Sequence, residues 1–362
     1  MKKIHIIPLF VLCIALLLPT LVSAQNTYPA KGSIESYGDG LWNYYKGKTK
    51  TTVKKNAPIF NYPDAAVARS LMMKEEFYKQ YADSCLDLPV TCYFDCKNQD
   101  SVDFSLPYPV IVKPSNVIQY NHLSFEGKNK IYKVDSQDEL NRVISLIKAG
   151  GYTDTLIVQE FIPGDDSYLF DAVAYVDSSH RVRLLSFAQI GLQEHSRNMV
   201  GNAAVLINGY NQFGHTHEVE AKMKQFLEEI GYSGFAEFDL KYDPRDQKFK
   251  VLEINARQGR SSYYLTALGE NLVQVLAEDL IDRKVREYRF LNDRVLLSFV
   301  PKKVALRYIV NEDYKREVKK LWHGHIDPVR YKEDRNFMRK IYLLKKRLRY
   351  VKEYQNSYWK VI

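Results

Sequence analysis

The chain has 362 residues, 46% of them hydrophobic and 26% charged, with a formal net charge of +9 and four cysteines. That suits a globular protein of two or three domains; it excludes a disordered tail, a collagen-like repeat and a small disulfide scaffold, and a single long apolar stretch at residues 6–22 excludes a multi-span membrane protein. The charge is uneven, because residues 301–362 hold 18 Lys/Arg against 7 Asp/Glu, a net +11, and the first 300 residues are near neutral at −2.

Residues 1–24 run from Lys2 and Lys3 through the apolar stretch to Ser23 and Ala24, the pattern of a secretory signal peptide. At 17 residues, with Pro8 and Pro19 inside, the stretch is short and broken for a spanning helix. A buried first strand followed by an apolar helix is the other reading. Cys13 lies in the stretch; Cys85, Cys92 and Cys96 lack Cys-x-x-Cys spacing and a nearby His pair, so they read as free thiols and not as a zinc site. Their odd number fits an oxidising compartment poorly and points to a cytosolic body.

Val67, Leu71 and Phe77 predict a helix over residues 64–82. Short β-branched runs predict strands at 90–94, 110–112 and 131–134. Ser136 and Glu139 form a capping box that opens a helix to Ala149, ended by Gly150 and Gly151. Strands follow at 156–161, 169–176, 182–190 and 203–207, with a turn at 163–166. A helix over 219–230 stops at Gly231, a hairpin pairs 235–242 with 249–254, and a helix covers 271–281. This order predicts an α+β body and not a doubly wound parallel sheet.

The tail has helical spacing. Ile341, Leu344 and Leu348 share one side, Arg339, Lys340, Lys345, Lys346, Arg347 and Arg349 surround them, and Tyr331, Tyr342, Tyr350, Tyr354, Tyr358 and Trp359 interleave. Two readings stand: a solvated helix packing its Leu and Tyr on the body, or a surface for an anionic membrane or a polyanionic substrate. No nucleic-acid signature accompanies the charge, and no nucleic-acid partner is expected.

The most informative pair of segments is 235–241 (FAEFDLK) and 251–257 (VLEINAR). Strand alternation puts Glu237 and Asp239 on one face, and Glu253 and Asn255 on one face of the next strand. Such oxygen donors are what Mg²⁺ takes when it bridges nucleotide phosphates; solvent-facing polar strand edges are the other reading. Lys113 ends an apolar strand, where a lysine can hold a phosphate as a point charge. Lys74 and the segment 158–166 (VQEFIPGDD) say little alone.

In their order and spacing, these segments resemble the ATP-grasp superfamily, and within it carboxylate–amine ligases similar to D-aspartate ligase, over roughly residues 35–290. The resemblance implies an α+β ATP-grasp fold, two lobes gripping ATP over residues 71–290. A truncated first lobe over 25–70 would precede it, and a basic helical extension over 291–362 would follow. It implies that Lys74 and Lys113 contact the phosphates, that the backbone of Gln159, Glu160, Phe161 and Ile162 binds adenine, and that Asp166 takes the ribose. Asp239, Glu253 and Asn255 would hold Mg²⁺, with Mn²⁺ as the alternative ion. Residues 254–262 (INARQGRSS) resemble the loop of the D-aspartate-ligase type, so Arg257 and Arg260 would face the acyl phosphate and substrate carboxylates. Arg197 is a further candidate for phosphate or substrate, and His195 reads as structural or as an acceptor of the amine proton. The segment 115–127 over the phosphates is poor in glycine, though Asn116 and residues 125–127 resemble the family.

The implied reaction is amide formation through an acyl phosphate, between a small carboxylate donor such as D-aspartate and an amine acceptor on a cell-wall precursor. The competing hypothesis is a degenerate ATP-binding module, exported or membrane-held, without turnover. The expected location is cytoplasmic, with membrane association through the tail and export through the signal-like start left open.

Overall fold

Two mainly antiparallel sheets, each covered by helices, organise the chain. The computed structural model describes residues 61–99, 106–194, 201–330 and 333–357. The chain divides into units 1–58 and 59–362, and the described residues all belong to the second. The readings made for residues 1–24, and for the first lobe before residue 61, fall outside the described residues.

Helices α1 (Ala65–Met72) and α2 (Lys74–Gln80) replace the single helix predicted over 64–82. Asp64 caps α1, accepting from the Ala66 N–H at 2.8 Å, and Met73 breaks the run in an extended conformation. No Gly or Pro marks that break, so the apolar period runs through it; Leu71, Phe77 and Tyr78 enter one core on both sides of it. The break makes Lys74 the first residue of α2.

The smaller sheet contains β1 (Thr91–Asp95), β2 (Val110–Pro114), β3 (Tyr132–Val134) and β4 (Thr155–Glu160), in the order β1-β4-β2-β3. Between β2 and β3 lies a short helix, α3 (Val117–His122), and α4 (Gln137–Ala149) follows β3. Leu140, Val143, Ile144 and Ile147 recur on one side of α4 and bury against Val112, Val134, Leu156 and Val158. Ser136 Oγ accepts from the Glu139 N–H at 3.2 Å, while the Glu139 carboxylate reaches back to the Asp135 N–H at 2.9 Å.

The larger sheet contains β5 (Leu169–Val176), β6 (Val182–Gln193), β7 (Ala203–Asn208), β8 (Gly234–Asp243), β9 (Lys248–Asn255), β10 (Arg289–Leu291) and β11 (Val295–Ser298). Its order is β11-β7-β6-β5-β8-β9, with β10 parallel to β6. Alternation divides β5 between two cores. Phe170, Ala172 and Ala174 pack with Val219, Met223 and Phe226 of α5 (Thr216–Glu229). Val173 and Tyr175 pack with Tyr264 of α6 (Tyr263–Ala267) and Val275 of α7 (Leu272–Leu280).

Beyond β11 come α8 (Lys302–Tyr308), α9 (Glu312–Leu321) and α10 (Phe337–Ser357). Their Val304, Tyr308, Tyr314, Val318, Tyr350 and Tyr354 bury against Leu192, Val205, Ile207 and Leu296. The tail reading is thereby corrected in part. Tyr350 and Tyr354 pack on the body, but Leu344 and Leu348 are 58% and 64% exposed and do not. No helix among the described residues is long and apolar enough to cross a membrane. Cys85, Cys92 and Cys96 are free thiols.

Candidate functional site

The site grows from the pairing of three strands. Asp171 of β5 lies opposite Asp239 of β8, and Asp239 lies opposite Glu253 of β9. One row along, Glu237 lies opposite Asn255. Because side chains two apart on a strand share a face, all five polar groups rise from one face of the sheet. Asp171 completes that row and was not among the residues singled out from sequence; its only signal there is a carboxylate inside an apolar strand, costly unless partnered.

Crowding this many acids in a buried place perturbs them. Asp239 is pushed up to about 8 by burial and by the charges of Glu237 and Glu253. Burial and the neighbouring Glu237 also raise Asp171, and burial raises Glu237. Ser261 Oγ lies 2.7 Å from both Asp171 Oδ2 and Glu237 Oε1. A hydroxyl carries one proton, so both contacts are hydrogen bonds only when one carboxyl is protonated, in keeping with the raised pair. Gly259 makes this packing feasible, since a Cβ there would collide with the Glu237 carboxylate.

Glu253 behaves differently. Burial alone would raise it, but the ammoniums of Lys74 and Lys113 outweigh burial and hold it below the usual range. Lys74 Nζ, at the head of α2, donates to Glu253 Oε2 at 2.5 Å. Lys113, at the end of β2, is buried and donates to Gln159 Oε1 at 3.0 Å and to the Tyr78 hydroxyl at 3.2 Å. Tyr78 in turn donates to the Leu252 carbonyl at 2.5 Å, and Gln159 Nε2 to Thr91 Oγ1 at 2.8 Å. Burial, then the nearby charge of Lys74, brings Lys113 down to about 7. These contacts tie the smaller sheet to β9 across the site.

Glu160 ends β4 with both carboxylate oxygens engaged: Oε1 accepts from the Val90 N–H at 2.8 Å and Oε2 from Arg245 at 2.6 Å. The Phe161 N–H bonds the Pro109 carbonyl at 3.3 Å, and Ile162 is buried just beyond. Asp166 accepts from the Gln193 N–H and from Gln193 Nε2, each at 2.8 Å. A third lysine, Lys241 on the face of β8 that carries Asp239, donates to the Gly164 carbonyl at 3.1 Å and lies 5.4 Å from the centre of the Phe161 ring. Burial lowers it to about 8. Its position two residues after Asp239 was the available signal. The segment read as a phosphate loop contains α3 instead, capped by Asn116, which accepts from the Gln119 N–H at 3.0 Å.

The two arginines separate. Arg257 stays with the acids, donating to Asn255 Oδ1 at 3.3 Å and approaching Glu237 Oε2 at 3.4 Å. Arg260 turns toward β6 and β7: it pairs with the fully buried Glu194 at 2.9 Å, donates to the Ala203 carbonyl at 2.6 Å and stacks 3.9 Å over the Phe299 ring. Tyr350 of α10 donates to the same Glu194 at 3.0 Å, and Tyr354 to the Gln193 carbonyl at 2.5 Å. The tail helix therefore braces the strand end that holds Asp166 and Arg260. Arg197 and His195 lie outside the described residues.

Among the described residues, no three His, Cys, Asp or Glu side chains are gathered as a ready metal cluster. The donors on hand are two carboxylates and an amide, Asp239, Glu253 and Asn255, with Asn255 Nδ2 only 3.3 Å from Asp239 Oδ2. An all-oxygen set carrying mutually repelling acids fits a hard divalent ion such as Mg²⁺ better than a softer metal.

No family model matches the chain. It is similar to a D-aspartate ligase from Enterococcus faecium (strain Aus0004), 35% identical over 294 residues that cover 78% of this chain and 68% of that protein. Among solved structures it is similar to the L-amino acid ligase from Bacillus licheniformis, at 18% identity and a TM-score of 0.46, covering 68% of this chain and 60% of that one. N5-carboxyaminoimidazole synthetase from Staphylococcus aureus is similar at 14% identity and a TM-score of 0.48, with the same two coverages of 68% and 60%. The chain thus spans less than two thirds of either solved chain.

Proposed function

This chain belongs to the D-aspartate ligase family of ATP-grasp carboxylate–amine ligases, and we propose that it forms an amide bond at the expense of ATP. The observation that carries the proposal is the facing of Lys74 and Lys113 onto the Asp171, Asp239 and Glu253 row, cations and anions held on separate elements at one place. In the first step a substrate carboxylate oxygen attacks the γ-phosphorus of ATP, the bond to ADP breaks, and an acyl phosphate forms. In the second an amine attacks the acyl carbon, the bond to phosphate breaks, and the amine gives up a proton. Neither step needs a covalent bond to the protein, so positioning and charge stabilisation are its task.

Lys74 and Lys113 hold the phosphates, Lys113 being protonated more fully as they arrive. Arg257 stabilises charge developing at the acyl group, and Arg260, its side chain 30% exposed, receives a substrate carboxylate. Arg197 is a further candidate for phosphate or substrate. The backbone from Gln159 to Ile162 lies against adenine, with Asp166 on the ribose. Asp239, Glu253 and Asn255 would hold Mg²⁺, which would supply positive charge against the phosphates. D-Aspartate is the proposed donor and a cell-wall precursor amine the proposed acceptor, by the name of the Enterococcus relative for the first and by family resemblance for the second. The cytosol is the proposed location, because the proposed reaction draws on ATP. The reading as a binding module without turnover is not favoured.

The test is ADP release by the purified chain with Mg-ATP and a panel of D- and L-amino acids, each with amine acceptors. Stimulation by D-aspartate plus an acceptor is expected. Retained ATP binding without stimulation by any pair would overturn the ligase reading.

A further inference from the structure

We propose that the outer face of α10 docks on the surface of an anionic lipid bilayer. The helix has two unlike sides. Its inner side is fixed by Tyr350 and Tyr354, both buried and hydrogen bonded to the end of β6. On the outer side Phe337, Leu344 and Leu348 are 72%, 58% and 64% exposed. With Ile341 they follow a 4, 3, 4 spacing, which on an α-helix draws them into one stripe. The stripe lies on a helix anchored to the body through Tyr350 and Tyr354, and water is a poor solvent for it.

The charge around the stripe selects the occupant. Over its length α10 has seven Lys/Arg and a single Glu. Arg339, Arg347 and Arg349 are spent on Asp334, Asp327 and Glu353. Lys340, Lys345 and Lys352 are exposed and make no ion pair among the described residues. Leucine and phenylalanine side chains entering the boundary between headgroups and acyl chains, with lysines beside them reaching lipid phosphates, match this arrangement. A second copy meeting the first through the same face would set lysines against lysines. A nucleic acid would gain the charge but leave the apolar stripe in water. The proposal does not rest on the ligase reading, since the stripe is on the side of α10 away from Tyr350 and Tyr354 and includes none of the residues assigned to the site.

The test is co-sedimentation of the full chain with phosphatidylcholine vesicles, with and without added phosphatidylglycerol, at low and high salt. The readout is the part of binding that needs anionic lipid and is lost in salt, which apolar residues elsewhere in the chain would not supply. Wild type should bind the anionic vesicles about tenfold more strongly than the neutral ones. Leu344→Asp with Leu348→Asp, and separately Lys340→Glu with Lys345→Glu and Lys352→Glu, should each abolish that difference with the melting temperature unchanged. Equal binding of wild type to both vesicle types would overturn the proposal. So would variants that melt like wild type and still prefer anionic lipid, or a dimer in solution that the leucine variant dissolves.

Discussion

Lys113 is an ammonium from which water has been largely removed, and at about 7 it stands half-charged near neutral pH. Arriving phosphates favour the charged form, so ATP binding should take up a proton, most strongly just above pH 7. The sign follows from linkage: above the free pKa, affinity for ATP should fall as pH rises, because a proton must be bound with the nucleotide. Calorimetry at pH 8 in two buffers of different ionisation heat should show the uptake, and Lys113→Met should remove it while lowering kcat/KM by about a hundredfold. Identical heats in both buffers would refute this role. Glu253→Gln takes the partner from Lys74 and one acid from the row; turnover should drop by about a hundredfold or more, read as ADP release.

At the scale of elements, the loop after β9 must pass over the Glu237 carboxylate, and Gly259 is where it does so. Gly259→Ala should destabilise the fold by about 1–3 kcal/mol, the usual range for overpacking, measured as a lower urea midpoint at unchanged slope. Helix α10 offers the opposite experiment. Tyr354 is buried with its hydroxyl on the Gln193 carbonyl, so Tyr354→Ala should cost about 3–5 kcal/mol and speed hydrogen exchange along the helix. Exchange unchanged in α10 would mean that other contacts, such as Tyr350 on Glu194, suffice to hold it.

For the whole molecule, the smaller sheet is joined to the larger through intermediaries: Lys113 reaches Tyr78 of α2, whose hydroxyl bonds the β9 backbone, and Glu160 reaches Arg245 in the turn between β8 and β9. The C-terminal segment is no detachable handle, because β11 extends the larger sheet and α10 completes a core. Removing residues 330–362 strips Tyr350 and Tyr354 from that core. Such a truncation should lower the melting temperature of the entire chain, and a test of the tail's surface role therefore uses point variants.

Much of this was legible in the sequence because it is local. Strands β2, β4, β5 and β9 read from their own apolar and β-branched residues, β8 as one arm of a hairpin across a turn, α4 from its Ser136 cap and apolar period, and the free thiols from cysteine spacing. The short α3, α6, β10 and β11 passed unread, since a few residues carry too little pattern, and the break at Met73 has no Gly or Pro to mark it. Asp239, Glu253 and Asn255 were legible as candidates because alternation alone puts polar residues of one strand on one face. Which strand lies beside which is a long-range fact, and only the tertiary structure brought Asp171 into the row, Lys74 onto Glu253 and Glu194 under Arg260. The same division holds for the charged tail: its sequence determined an amphipathic basic helix, and the packing of Tyr350 and Tyr354 decided which side faces the protein, because burial belongs to the assembled core and not to any one segment.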